Sequence, residues 1–281
     1  MRYLVFGIFL LNSFYAHSNN DTLYIAKQSA EIGFTNASFC SFHSSTDFSR
    51  NNTAIKINEG ESLIITIINL DSLVHDFTID NVIESNNIVQ GFDTLTVQVD
   101  EIPNGTFRYY SSVNYGHLLG ASGVLQVGYE EYERYCWNLF DVDVDFSDSL
   151  ALGLIDLVPS GYEPSYFLIN GNDYPTLLAD SLTAIHETLN DTIIVSIVNS
   201  GNIVSSFHFH GFHVTILDAK INLLQIGWLK DSTPFFKGDA VTLMIVADQT
   251  GLYPIHAHNL VATTSGGIYP GGMITTIQID P

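Results

Sequence analysis

Apolar and polar residues alternate along most of the chain, in short runs rich in β-branched side chains. Such runs include SLIITIINL (62–70), LTVQV (95–99), TFRYYSSV (106–113) and GVLQV (123–127) in the first half. DTIIVSIVN (191–199), FHFHGFHVTIL (207–217), AVTLMIVA (240–247) and GMITTIQI (272–279) follow in the second. A period of two sends successive side chains to opposite faces of a strand. Gly, Asn, Asp and Pro punctuate the runs, and no stretch carries a long amphipathic helical period. Many short strands joined by turns predict an all-β chain of sandwiches or barrels.

The pattern occurs twice. GESLIITIINLDSLVHDFTI (60–79) matches NDTIIVSIVNSGNIVSSFHFH (190–210), with one residue of slack. VDEIPNGTFRYYSSV (99–113) parallels VADQTGLYPIHAHNL (246–260), and GASGVLQV (120–127) parallels PGGMITTIQI (270–279). An internal repeat of this length predicts two tandem β-sandwiches, over 25–130 and 165–281. The acidic stretch 131–164, with Cys136 and Trp137, is expected to link them.

The first residues break the alternation. MRYLVFGIFLLNSFYA (1–16) has a basic Arg2, an apolar run too short to span a bilayer, and a small residue, Ala16, before a cleavage point. This is the pattern of a secretory signal peptide. No later stretch is long and apolar enough to span a membrane, so the mature chain is expected outside the cell or in the periplasm.

Composition narrows the chemistry. The 281 residues hold 30 acidic and 9 basic side chains, a formal charge of -21 that excludes electrostatic nucleic-acid binding. Two cysteines, Cys40 and Cys136, cannot build a disulfide scaffold, a four-cysteine zinc site or an iron–sulfur cluster. Their spacing leaves open whether they pair with each other. Five of the ten histidines fall between Ser205 and Asn259. They include His208-Phe209-His210 and His256-Ala257-His258. On a strand, each His-x-His projects two imidazoles from one face. Two such strands side by side would converge four imidazoles on one metal, for which copper and zinc both qualify. His213 follows His210 by three positions, so alternation turns it away. His43 and His186 are isolated. The acidic run 141–148 lacks a calcium-loop pattern and reads as a solvated face.

FHFHGFHVTIL, GLYPIHAHNL and GGIYPGGM resemble the signature segments of multicopper oxidases, and FLINGNDYP (167–175) resembles the opening of one of their domains. The resemblance implies two tandem cupredoxin-like Greek-key sandwiches. It also implies copper-dependent oxidoreductase chemistry with a small-molecule or metal-ion reductant, and a homotrimer by family analogy. In that family a type 1 copper takes electrons and a trinuclear cluster held by eight histidines reduces dioxygen. Carried over, His208, His210, His256 and His258 match cluster ligands. Ala257 stands where the type 1 cysteine belongs, and Ser205 replaces a type 1 histidine. Met273 resembles the axial methionine but is expected to be core.

The first half shows the reverse. His75 and His117 match type 1 histidines, Ser111 replaces the cysteine and Ala121 the methionine. Thr78, Asp80, Tyr110 and Ser112 replace cluster histidines, with Tyr110 expected to fill the vacated space or to cover the site. Asp76 and Asp80 are expected to orient His75. A hydroxyl cannot substitute for a soft thiolate, so His75 and His117 are expected to be hydrogen-bonded remnants rather than ligands. The expectation is a copper oxidoreductase without an intact type 1 site. The rival readings are a non-catalytic copper-binding or copper-sequestering protein and a structural cupredoxin scaffold.

Overall fold

The computed structural model describes residues 18–281; the expected signal peptide, 1–16, lies outside the described residues. The first domain contains β1 (Ser18–Ile32), β2 (Thr35–His43), β3 (Ile55–Ile57), β4 (Ser62–Asn69) and β5 (His75–Asp76). It continues with β6 (Thr78–Ile79), β7 (Ile88–Val89), β8 (Thr94–Val99), β9 (Gly105–Tyr110) and β10 (Ser122–Val127). One sheet runs β2-β1-β4-β8 and the facing sheet β3-β10-β9-β6, with β5 and β7 paired apart. Strand β4 alternates as its sequence demands: Leu63, Ile65 and Ile67 are buried while Ile64, Thr66 and Ile68 are partly exposed. The inward side chains meet Phe42 of β2, Tyr109 of β9 and Phe77 between β5 and β6, whose rings pack edge-on or tilted at 5.6 Å.

The second domain contains β11 (Glu133–Val142), β12 (Tyr166–Ile169), β13 (Ile185–Thr188), β14 (Thr192–Asn199) and β15 (Ser205–Phe209); α1 (Val144–Ala151) lies between β11 and β12. Then come β16 (Val214–Ala219), β17 (Leu229–Lys230), β18 (Ser232–Phe235), β19 (Ala240–Val246), β20 (Gly251–Ala257) and β21 (Ile274–Asp280). Its sheets run β12-β11-β14-β19-β16-β17 and β13-β21-β20-β15-β18. The repeat read in sequence is thus a repeat of topology. Strands β4, β9 and β10 occupy the places that β14, β20 and β21 take in the second sandwich.

The stretch expected as a linker, 131–164, is divided: β11 belongs to the second domain, while α1 and the residues after it pack on the first. Strand β11 pairs parallel with β14, as β1 does with β4, so it is the second sandwich's first strand. Trp137, on β11, is fully buried and packs against Phe207 at 5.6 Å and Phe209 at 6.1 Å between ring centroids. Local acidity hid this, because three of the four acids of 141–148 are structural, and only Asp145 is exposed. Asp141 is buried and accepts from the N–H groups of Asn202 and Ile203. Asp143 caps α1 by accepting from Phe146 N at 3.1 Å, and Asp148 accepts from Ser38 N at 2.9 Å. Helix α1 lays Phe146 and Leu150 onto the core of the first domain.

The two domains meet where β9 and β10 face β11, β14 and β19. Thr106 Oγ1 lies 2.8 Å from both Ser196 Oγ and Thr242 Oγ1, and Gln126 Nε2 donates to Ser196 Oγ. Val124, Cys136, Val198 and Ala240 form an apolar patch beside these bonds. This explains why β10 and most of β11 are buried on both faces, with Ser122, Gln126 and Asn138 each finding a partner. Cys40 and Cys136 are both free and buried, Cys40 within the first core and Cys136 at the domain junction.

Candidate metal centre

Strands β15 and β20 are antiparallel neighbours, with His208 directly opposite His256. Phe207, Phe209, Ile255 and Ala257 turn into the core, so alternation turns His208, His210, His256 and His258 to the opposite face. The four imidazoles cluster there. His208 lies 4.5 Å from His210, 5.9 Å from His256 and 6.0 Å from His258, between ring centroids. His210 Nε2 and His256 Nε2 are 3.0 Å apart.

Neighbouring groups fix which nitrogens are free. His208 Nδ1 sits 3.1 Å from Asp231 O and 3.0 Å from Ser232 Oγ, so its Nε2 faces outward. His256 Nδ1 donates to Ala257 O at 3.0 Å, which makes its Nε2 the acceptor in the pair with His210. Such outer hydrogen bonds orient imidazoles that bind metals. Burial, with the neighbouring His208 and His256, holds His210 below the ordinary histidine range. A cavity of about 290 Å³ opens beside His210 and His256, walled by Pro254, Leu260, Tyr269 and Ile274.

The site can be tested against a metal. Metal–imidazole bonds of about 2.0–2.1 Å at 90–109° put two nitrogens on one ion about 2.9–3.3 Å apart. The 3.0 Å between His210 and His256 falls in that range. Among the described residues no three His, Cys, Asp or Glu side chains already close a coordination shell. His208 and His258 would have to swing toward the pair. The donor set fits a borderline cation such as copper. Ser205, Ala257 and Met273 also come together behind the strands, where Ser205 Oγ donates to Met273 Sδ at 3.9 Å. Met273 is core, as expected.

The first-domain residues also converge. His75 Nδ1 lies 3.4 Å from Ser111 Oγ, and His117 Nδ1 lies 3.2 Å from Ser111 O. Asp71, rather than Asp76 or Asp80, holds His75, through Oδ2 at 3.1 Å from Nε2. Burial alone would push the Asp71 carboxyl up. The hydrogen bond and charge of His75, with the N–H groups of Leu73 and Lys27, outweigh it and hold the group below the usual range. Asp76 is wholly buried and accepts from Ser111 Oγ, Ser112 N, Ser112 Oγ, Val113 N and Thr78 Oγ1. Asp80 pairs with Arg108, whose guanidinium lies over the Tyr110 ring. These residues do not fit a type 1 copper: hydrogen bonds close the site, and Ser111, which contacts both His75 and His117, offers no thiolate. His213 is exposed and lines a separate cavity with Thr215 and Met244. His186 pairs with Asp280, while His43 accepts from Ser45 N.

Residues 152–269 match the family model described as multicopper oxidase. Over this segment the chain is similar to that family. The segment contains His208, His210, His256 and His258, and copper is the metal of that family. The whole multicopper oxidase fold extends over both domains. A blue copper oxidase from Nitrosomonas europaea superposes with a TM-score of 0.76 at 20% identity, over 94% of this chain and 86% of that one. The multicopper oxidase mgLAC gives 0.75 at 18%, over 94% and 86%. A copper nitrite reductase from Nitrosomonas europaea gives 0.67 at 15%, over 94% of both chains. At these identities the likeness is one of fold, two tandem cupredoxin-like sandwiches. No curated protein matches the chain in sequence.

Asp71, Asp231 and Ser232 were not found by sequence reasoning. Asp71 stands four residues before His75, a signal that was available. Asp231 and Ser232 reach His208 only because β18 pairs with β15.

Proposed function

We propose that the chain is a secreted copper protein of the multicopper oxidase type, an oxidoreductase working without a type 1 copper. His208, His210, His256 and His258 hold the copper. The observation that carries this reading is the 3.0 Å approach of His210 and His256 on two paired strands, within reach of His208 and His258. Copper held there would supply one-electron exchange with a small reductant. The chain's own residues bind and orient: Asp231 and Ser232 fix His208, Ala257 O fixes His256, and the apolar cavity admits a small molecule beside His210. Secretion rests on the signal-peptide pattern of 1–16. Among the described residues no helix is long and apolar enough to cross a membrane.

A second reading, copper sequestration without turnover, is favoured by one observation. The first-domain site that would relay electrons is closed by the Asp76, Ser111 and His75 hydrogen bonds. Metal analysis with EPR on the native protein tests the site. Copper is expected at about one to two per chain, without intense blue colour or narrow hyperfine splitting. The double variant His256→Ala/His258→Ala should lose that copper. Unchanged stoichiometry would refute the site, and a blue signal would refute the absence of a type 1 copper. Oxygen consumption with a phenol or a metal-ion reductant separates oxidase from sequestration.

A further inference from the structure

In a chain with 9 basic residues against 30 acidic ones, three of the nine, Arg108, Lys220 and Lys237, line one cavity of about 290 Å³. The cavity lies at the junction of the domains. Arg108 and Phe107 come from β9 of the first domain. Lys220 follows β16 and Lys237 precedes β19 in the second. Two of the three cations are already matched. Arg108 Nε donates to Asp80 Oδ2 at 2.9 Å, and Lys220 Nζ to Asp218 Oδ2 at 2.5 Å, with Lys220 also over the Phe107 ring. Lys237 donates to the amide oxygen of Asn202 at 2.6 Å, and among the described residues it has no carboxylate partner within ion-pair distance.

Arg108 engages Asp80 through Nε alone, so both terminal nitrogens keep donors to give. Gly238 leaves that side open: a Cβ there would come within 3.4 Å of the guanidinium. Unspent guanidinium donors beside an unpaired ammonium are the donor set that recognises oxyanions. We propose that this interdomain cavity binds a small oxyanion, held by the terminal nitrogens of Arg108 and by Lys237, with Lys220 at its edge. Burial and the nearby Arg108 hold the Lys237 ammonium below its ordinary range, against the pull of Asp141, which an anion would relieve. Because its donors come from both domains, the bound anion fastens them together. The site is independent of the copper reading.

The test is isothermal titration of the chelator-treated chain with inorganic phosphate and, separately, sulfate, at ionic strength held constant with sodium chloride. One saturable site per chain is expected, with a thermal midpoint raised above the chloride control. Phosphate and sulfate arms report which oxyanion the cavity prefers. Lys237→Gln, an exposed position, should weaken binding about tenfold while keeping the wild-type midpoint in chloride, one charge-assisted bond being worth about 1.5 kcal/mol or more. Arg108→Lys, which keeps the charge beside Asp80 but loses the fork, should weaken it similarly. Absence of saturable binding by either anion overturns the proposal. So does a Lys237→Gln variant that binds as the wild type does.

Discussion

Asp76 is the centre of the first domain's buried hydrogen-bond network, and its removal is the most informative perturbation of that domain. The carboxylate is wholly buried and takes five hydrogen bonds, two from the backbone N–H groups of Ser112 and Val113, at 2.6 and 3.0 Å. It therefore ties the short strand β5 to the loop that carries His117. Asp76→Ala leaves those two N–H groups without an acceptor, at about 1–3 kcal/mol each. The three hydroxyls can turn to other partners, and a buried charge is released, which offsets part of the loss. The expected net destabilisation is about 3 kcal/mol, measured by urea unfolding followed by far-ultraviolet circular dichroism. Asp76→Asn is the control. Its amide oxygen can still accept from both N–H groups, and its amide nitrogen can donate to the hydroxyls of Ser112 and Thr78. It should lose only about 1 kcal/mol. An alanine variant within about 0.5 kcal/mol of the wild type would refute the reasoning, since each lost partner is worth more than that. An asparagine variant as damaged as the alanine one would show that the charge, not the bonding, matters.

Three further outcomes are expected. Trp137→Ala should cost about 3–5 kcal/mol in equilibrium unfolding, as for a large aromatic removed from a core; a loss below about 1 kcal/mol would mean that β11 is peripheral to the second sandwich. His213→Ala should leave copper stoichiometry unchanged, because its exposed ring lies outside the cluster; a drop in bound copper would show that the ligand set is wrong. Neither cysteine should react with a thiol reagent in native buffer at pH 8. Burial pushes the Cys136 thiol up to about 11 and raises Cys40 as well. A raised pKa disfavours the reactive thiolate, leaving about 0.1% at that pH for Cys136. Both should react in urea, and rapid native labelling of either would contradict the burial.

Two kinds of information in the sequence proved sufficient for most of the fold. The apolar runs located strands such as β4, whose single buried face shows as alternation, and β14 and β19, whose two buried faces show as near-continuous apolar stretches. The repeat of 60–79 in 190–210 became a repeat of topology, because equivalent strands must bury equivalent side chains. The stretch 131–164 was the failure. Its acids read as solvated, yet Asp141, Asp143 and Asp148 are held by the N–H groups of Asn202, Ile203, Phe146 and Ser38. Three of those four donors lie far away in sequence.

For the candidate metal centre, the sequence by itself determined which imidazoles share a face. His208 with His210, and His256 with His258, follow from alternation along a single strand. Equally legible was that Ser111 and Ala257 stand where the family resemblance places a cysteine. Only the tertiary structure decided that β15 and β20 are neighbours in the register that sets His208 opposite His256 and brings His210 within 3.0 Å of it. It alone chose Asp71 as the partner of His75, turned Asp76 toward Ser112 and Val113, and gathered Arg108, Lys220 and Lys237 around one cavity. The reason is physical. A local sequence fixes the direction of a side chain relative to its own backbone, whereas hydrogen bonds and charge pairs depend on distances between strands that only packing sets.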